Sequence, residues 1–370
     1  MSHVSNREVH YTMSRTFTKI GQRIAVAVAA LAVPGAALAD SFTLRIGAGH
    51  PSGPAVYVTL VEKFFVPEVK RRVAEETDHT INFIEGYGGA IVGVADTLEA
   101  VQSGLLDIGA YCVCFEPSKL FLHNFPYYVP FGPQDAVTAM KATRATYDAV
   151  PWLTEEFQNY KQTLLGLSGW DNYHLGTTEP WDTVADLKNV KVGGAGPNLP
   201  WLEYVGAVPV QSTLPDGYMS LQTGVYNGWL MFPSAYLGFK FYEPAPNYTL
   251  IGFGAMIVNA LTINNNTLER LPDDVAKIIR EVGAEYEVRS GTELDTRQAA
   301  GLDGLRKNGT NVKELDDSAR ADWARALVPF AAKQAKDADG RGMPGTEVMK
   351  TFIDQVSATG YEWLAPYSIE

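Results

Sequence analysis

The chain has 370 residues, with 30 basic and 42 acidic side chains and a formal net charge of −12. That acidity argues against nucleic acid or an anionic membrane surface as a partner. The length suffices for two hydrophobic cores of about 150 residues each.

The first residues read as an address. Arg15, Lys19 and Arg23 precede the apolar run Ile24 to Val33, and Ala37-Leu38-Ala39 offers a small-x-small exit before Asp40. A positive flank, a short apolar segment and small residues at the exit predict a secretory signal peptide over residues 1–39, cleaved after Ala39. A retained membrane anchor is the competing reading, but Ile24 to Ala39 is short and rich in small residues for a span. Met13 would open a more usual leader than Met1. The leader holds four of the basic residues and one of the acidic ones, so the 331 residues after it carry 26 and 41, a net charge of −15. No later apolar run reaches about 18 residues, so a soluble secreted protein is expected.

Phe42 to Ala48 alternates like a first strand, and Gly49-His50-Pro51-Ser52-Gly53-Pro54 is a turn. Tyr57 to Glu76 has helical apolar spacing, which Pro67 must start, kink or divide. Ile81 to Ile84 is a second strand, Ala95 to Ser103 a short helix stopped by Gly104, and Leu106 to Val113 a third strand. This β-α-β-α-β order predicts a parallel sheet with helices on its faces.

Cys112 and Cys114 are the two cysteines of the chain. On a strand their side chains share a face, and an i,i+2 bridge there is strained, so two buried thiols are expected. One C-x-C without a nearby second pair makes no zinc site.

The pattern restarts near Thr163. Leu164 to Leu167, Val190 to Val192 and Val208 to Val210 read as strands, and Leu199 to Val205 and Asp216 to Thr223 as helices, the second capped by Asp216. Ala255 to Asn264 is strand-like. A helical pattern then runs from Leu271-Pro272-Asp273-Asp274 to about Lys307, about 35 residues or 50 Å, far longer than usual and in need of two domains to lie against. Asp316 to Gln334 and Gly345 to Gly360 add C-terminal helices.

The segment Asp186 to Gly228 carries a family signature. It reads Asp186-Leu187-Lys188-Asn189-Val190-Lys191-Val192-Gly193-Gly194, then Val205-Gly206-Ala207-Val208-Pro209, then Tyr218-Met219-Ser220-Leu221-Gln222-Thr223-Gly224-Val225-Tyr226-Asn227-Gly228. In order and spacing it resembles the solute-binding proteins of TRAP (tripartite ATP-independent periplasmic) transporters, of the dicarboxylate-binding type. Leu98 to Asp107 with Gly104, Phe125 to Phe131, Phe239 to Glu243, Ile263-Asn264 and Leu271 to Asp274 fall in the same family order. The resemblance implies an α/β, two-lobed periplasmic binding protein fold: two α/β domains, a cleft between them and a long helix spanning both. The expected division is residues 40–164 plus about 254–290 for one domain and 165–253 plus about 291–370 for the other.

The resemblance also implies a site that this chain departs from. Gly193 stands where the family places the arginine that clamps a carboxylate. Tyr173 stands where many relatives have another arginine, Trp229-Leu230-Met231 where many have Gln-Glu-Asn, and Cys112 where some acidic-sugar binders have glutamate. Between Ala48 and Asn247 the arginines are Arg71, Arg72 and Arg144, all on helical patterns expected to face solvent. A buried carboxylate without a paired cation or several donors is costly, and a bidentate guanidinium is the usual remedy. A dicarboxylate is therefore not the expected solute.

Aromatic and apolar walls remain, from Tyr111, Phe115, Trp170, Tyr173, Trp201, Trp229, Met231 and Phe232. They suit an aromatic, amphiphilic or amine-bearing solute, with Glu85, Glu116, Asp171 and Asp216 as possible counter-charges for an amine. Trp201 is expected in the core, Trp229 in the ligand wall, and Asp216 at a helix cap. Asp171 reads equally as a turn residue or a cleft carboxylate. His50 ends the first strand, where open α/β sheets place ligands. Gly193 and Gly194 offer backbone N–H groups, and Asn198 a side-chain amide.

No G-x-S-x-G and no H-E-x-x-H occurs, so catalytic residues, metal ligands and cofactors are not assigned. The expected function is capture of a small organic solute by cleft closure in the periplasm, by a monomer that delivers it to the membrane subunits of a TRAP transporter. The alternatives are a secreted α/β hydrolase or lyase, or a binding protein serving a sensor.

Overall fold

The strands follow one another as β1 Ser41–Gly47, β2 Thr80–Gly86, β3 Ile108–Cys112, β4 Gln162–Trp170, β5 His174–Thr177, β6 Lys191–Gly194, β7 Val208–Gln211, β8 Gly228–Met231, β9 Asn247–Leu250, β10 Met256–Asn264 and β11 Asn311–Glu314. They come from a computed structural model that describes residues 40–370. The signal peptide, its cleavage after Ala39 and the choice between Met1 and Met13 lie outside the described residues.

Two sheets result, in the orders β2-β1-β3-β10-β4 and β11-β9-β5-β8-β6-β7. In the first, β1 runs parallel to β2 and β3, as the βαβ order predicts. The sheet is not parallel throughout, however. β10 lies antiparallel between β3 and β4. The chain passes through β5 to β9 of the second sheet before it returns to the first as β10, and side-chain pattern carries no information on direction. β10 is buried along its whole length, which explains its apolar run without alternation. The second sheet is also mixed: β6 is parallel to β7 and β8, while β5 is antiparallel to β8 and β9.

Pro67 divides its helix. Val56–Leu60 is α-helical, Val61–Phe65 forms one π-helical turn, and Val66–Glu76 resumes the α-helix. Proline has no N–H to give to the preceding turn, and the wider turn absorbs the loss.

The helix Asp273–Lys307 has 35 residues and touches elements of both sheets. A Cβ on Gly283 would meet the Leu165 carbonyl oxygen of β4 at 2.6 Å, and one on Gly301 would meet Pro233 at 2.7 Å. Pro233 opens the helix Pro233–Gly238, which follows β8. Glycine at these two points lets one helix lie closely against both lobes. The architecture is thus the two-lobed α/β fold with a long helix across it.

Arg144 corrects one expectation. Instead of facing solvent, its Nε donates to Glu287 Oε1 of the long helix at 2.7 Å. The other carboxylate oxygen of Glu287 accepts from the Leu167 N–H at 2.8 Å. Arg71 pairs with Glu68 and Glu75, and Arg72 with Glu68 and Glu285. All three arginines are committed to helix carboxylates.

Candidate functional site

A cavity lies where the carboxyl ends of strands from the two sheets meet, the position at which open α/β sheets bind ligands. From the first sheet come His50 after β1, Cys114 and Phe115 after β3, Trp170 at the end of β4, and Tyr173 in the link to β5. From the second come Ala195 and Asn198 after β6, Leu214 after β7, Trp229, Leu230 and Met231 of β8, and Phe232 beyond it. The free volume between them is about 20 Å³, room for one or two waters. A cavity on the order of 150 Å³ holds benzene, so admitting a ring requires the walls to part.

Aromatic rings close this space. Trp170 stacks on Phe232 with centroids 4.9 Å apart and planes at 18°, so the pair bridges the two sheets. Tyr57 and His50 meet Trp170 edge-on at 5.3 and 5.7 Å. Tyr173 packs against Phe232 at 5.2 Å, and its hydroxyl lies 2.9 Å from that of Tyr127. Such tilted and offset pairs add to the burial energy of each ring.

Two polar side chains are set among the rings. Nδ1 of His50 lies 2.9 Å from the Tyr57 hydroxyl, and burial pushes the imidazole pKa down to about 4, so it is neutral at pH 7. Asn198 Oδ1 accepts from the Ala195 N–H at 3.2 Å. No Lys, Arg, Asp or Glu lines the cavity.

Of the residues expected at the site, His50, Phe115, Trp170, Tyr173, Asn198, Trp229, Met231 and Phe232 come together there. Glu85, Tyr111, Cys112, Asp171, Gly193 and Gly194 do not line it. Glu85 is exposed on β2 and accepts from the Tyr87 hydroxyl. The Tyr111 hydroxyl turns away to Gln162 Oε1 at 2.9 Å. Gly193 and Gly194 lie behind the wall, under Trp229 and Asn198.

Asp171 is fully buried but serves the scaffold. It accepts from Ser234 N–H at 3.2 Å and Ser234 Oγ at 2.7 Å, at the start of helix Pro233–Gly238. Burial pushes its carboxyl up to about 7 against those hydrogen bonds. Glu116 is likewise raised to about 7 by burial and sits beside Lys119. Asp216 is not the cap: Thr213 holds the cap position of Leu214–Gln222, and its Oγ1 donates to Asp216 in the first turn at 2.6 Å. Trp201 is in the core, its Nε1 donating to the Tyr127 carbonyl at 2.9 Å.

The cysteines correct the expectation of two thiols: Cys112 and Cys114 are joined as a disulfide. The strand ends at Cys112, and Val113–Phe115 is a 3-10 turn. That turn draws the two Cα atoms to 5.1 Å, within the range a disulfide spans and shorter than two extended residues would allow. It also places Cys114, and not Cys112, on the cavity.

Cys114, Ala195 and Leu214 are the lining residues that sequence reasoning passed over, and Leu230 was read only as part of the Trp229-Leu230-Met231 run. The turn geometry after β3 would have signalled Cys114; nothing in the sequence marks Leu214. Among the described residues no group of His, Cys, Asp and Glu is arranged to hold a metal, and no helix is long and apolar enough to cross a membrane.

Relatives share this architecture. A solute-binding protein of Sulfitobacter sp. (strain NAS-14.1) is 24% identical over 307 residues, 82% of this chain and 87% of that protein. A TRAP solute-binding protein from Rhodoferax ferrireducens T118, solved with copurified benzoate, superposes with a TM-score of 0.77 at 18% identity, over 86% of this chain and 98% of that one. A marine metagenome TRAP solute-binding protein specific for aromatic acid ligands, solved with 3-hydroxybenzoate, gives 0.76 at 22% identity, over 85% and 98%. A Sulfitobacter sp. NAS-14.1 TRAP protein with bound β-D-galacturonate gives 0.72 at 19%, over 84% and 99%. The family described as bacterial extracellular solute-binding protein, family 7 (DctP) matches residues 60–337, and the chain belongs to it, among the solute-binding proteins of TRAP transporters.

Proposed function

We propose that this protein captures a small aromatic or amphiphilic solute in the periplasm, between its two lobes, and delivers it as a monomer to the membrane subunits of a TRAP transporter. The carrying observation is the wall of Phe115, Trp170, Tyr173, Trp229 and Phe232 at the carboxyl ends of both sheets, with no charged side chain in it. Apolar rings reward burial of an apolar body, at about 25 cal/mol per Å². A dicarboxylate would enter the same space without a counter-charge.

The amine-bearing alternative loses ground on the same observation. Glu85, Glu116, Asp171 and Asp216 were the available counter-charges, and none lines the cavity. Two fold relatives solved with benzoate and with 3-hydroxybenzoate support a ring-shaped solute on this scaffold. The proposed lobes are 40–164 plus about 254–290 and 165–253 plus about 291–370, with the signal peptide leaving after Ala39. Their support is that β1 to β4 and β10 share one sheet, and β5 to β9 with β11 share the other; β4 carries the first sheet on to Trp170, six residues beyond 164.

A thermal-shift screen of neutral aromatics, aromatic acids, amines and dicarboxylates tests the reading. A binder raises the midpoint in proportion to RT ln(1 + [L]/Kd) and leaves the ligand chemically unchanged. Stabilisation by ring compounds and not by succinate or malate is expected. Stabilisation by the dicarboxylates would overturn it.

A further inference from the structure

Two side-chain atoms in the cavity wall are buried and lack any partner: Nε2 of His50 and Nδ2 of Asn198. Both residues are almost wholly buried, and each is anchored through its other polar atom. Among the described residues the Tyr57 hydroxyl has no hydrogen-bond partner but His50 Nδ1, so it donates to Nδ1 and the proton of the neutral imidazole sits on Nε2; Phe115 and Trp170 hold the ring. Asn198 Oδ1 is held by the Ala195 N–H, which assigns Nδ2 as the donor. A buried donor left unpaired is costly, and native proteins rarely tolerate one without a use for it. Here one such atom comes from each lobe, after β1 and after β6, into the same apolar space.

We propose that the solute is an uncharged aromatic molecule bearing one hydrogen-bond acceptor, such as an aromatic amide or ketone, held between Asn198 Nδ2 and His50 Nε2. This rests on the reading of an aromatic solute and narrows it. The charge is decided by what surrounds the two atoms. No Lys or Arg lines the cavity, and the imidazole is neutral at pH 7. A carboxylate placed there would be buried without a cation, whereas a carbonyl needs one or two donors and no counter-charge. Bridging from a residue of one lobe to a residue of the other, the acceptor also favours the closed arrangement over the open one. His50 and Asn198 are thus the specificity-determining pair, and the rings supply the burial.

Titration calorimetry at pH 7.5 with benzamide, acetophenone and benzoate tests this. Benzamide and acetophenone are expected to bind at least about tenfold more tightly than benzoate. Asn198→Asp keeps the oxygen that accepts from Ala195 but replaces the donor, and is expected to weaken benzamide by about tenfold. His50→Phe keeps the ring packing and is expected to weaken it similarly; His50→Leu, which likewise has no donor, serves if that variant does not fold. Benzoate binding as tightly as benzamide, or benzamide affinity unchanged in the folded variants, would overturn the proposal while leaving the aromatic reading intact. Binding of none of the ring compounds would overturn both.

Discussion

A Cβ at Gly193 would lie 2.7 Å from Cε3 of Trp229. The indole on β8 therefore occupies the room that any side chain at position 193 on β6 would need. β6 and β8 are hydrogen-bonded neighbours with Gly193 opposite Trp229, so the two positions share one piece of space. Glycine at 193 and tryptophan at 229 are therefore one choice in physical terms.

That relationship predicts coupled energetics. Gly193→Arg should destabilise the protein by about 1–3 kcal/mol through overpacking. Trp229→Ala should cost about 3–5 kcal/mol by leaving a cavity. The double variant should cost less than the sum by about 1 kcal/mol or more, because the guanidinium stem fills the space the indole leaves. Urea unfolding of the four proteins measures this, and strictly additive costs would refute the shared space.

Trp201 and Trp229 should separate stability from affinity. Both are fully buried, but only Trp229 lines the cavity. Trp201→Ala should lose about 3–5 kcal/mol of stability while the folded fraction keeps its affinity for benzamide. Trp229→Ala should weaken binding as well. Equal affinities for the two variants, by fluorescence titration, would contradict the placement.

Asp171 predicts a pH dependence. In the unfolded chain its carboxyl ionises near pH 4, whereas in the folded protein burial raises its pKa to about 7. Between those values the folded state holds the extra proton, so this group's contribution to stability falls as pH rises from about 4 to 7. The depressed pKa of His50 acts oppositely, costing stability as pH falls from about 6.5 to 4, and it does so in both proteins compared. Asp171→Asn should flatten the Asp171 component. Melting midpoints at pH 4, 5.5 and 7 check this, and parallel curves for wild type and variant would exclude it.

Thiol titration checks the Cys112–Cys114 bond. The protein unfolded without reductant should show no free thiol, and two after reduction. Two thiols before reduction would restore the sequence-based expectation.

Much of the scaffold was legible from residue pattern. The long helix was marked from its opening Asp273 to its end at Lys307, because a helical period sustained over 35 residues has no competing reading. The alternation of β1 and the apolar run of β10 were equally plain. The four-residue strands β5, β8, β9 and β11 were not, since so few residues cannot show a period of two; β6 and β7, equally short, were marked by alternate valines. The antiparallel insertion of β10 left no local trace either.

The site divided along the same line. His50 was placed by its position at a strand end, which local pattern reveals, and Trp170 by its ring, as one of the aromatic walls. Asp171 and Tyr111 were misplaced because a side chain's direction depends on partners far away in sequence, here Ser234 and Gln162.

The sequence by itself determined the family, the two α/β units and the glycine at position 193, all of which are written in order and spacing. Only the tertiary structure decided that Trp229 fills the space at Gly193, that the arginines are committed elsewhere, and that His50 and Asn198 face one cavity without partners. Those facts depend on which distant residues share a volume. Close packing sets that globally, and no local period encodes it.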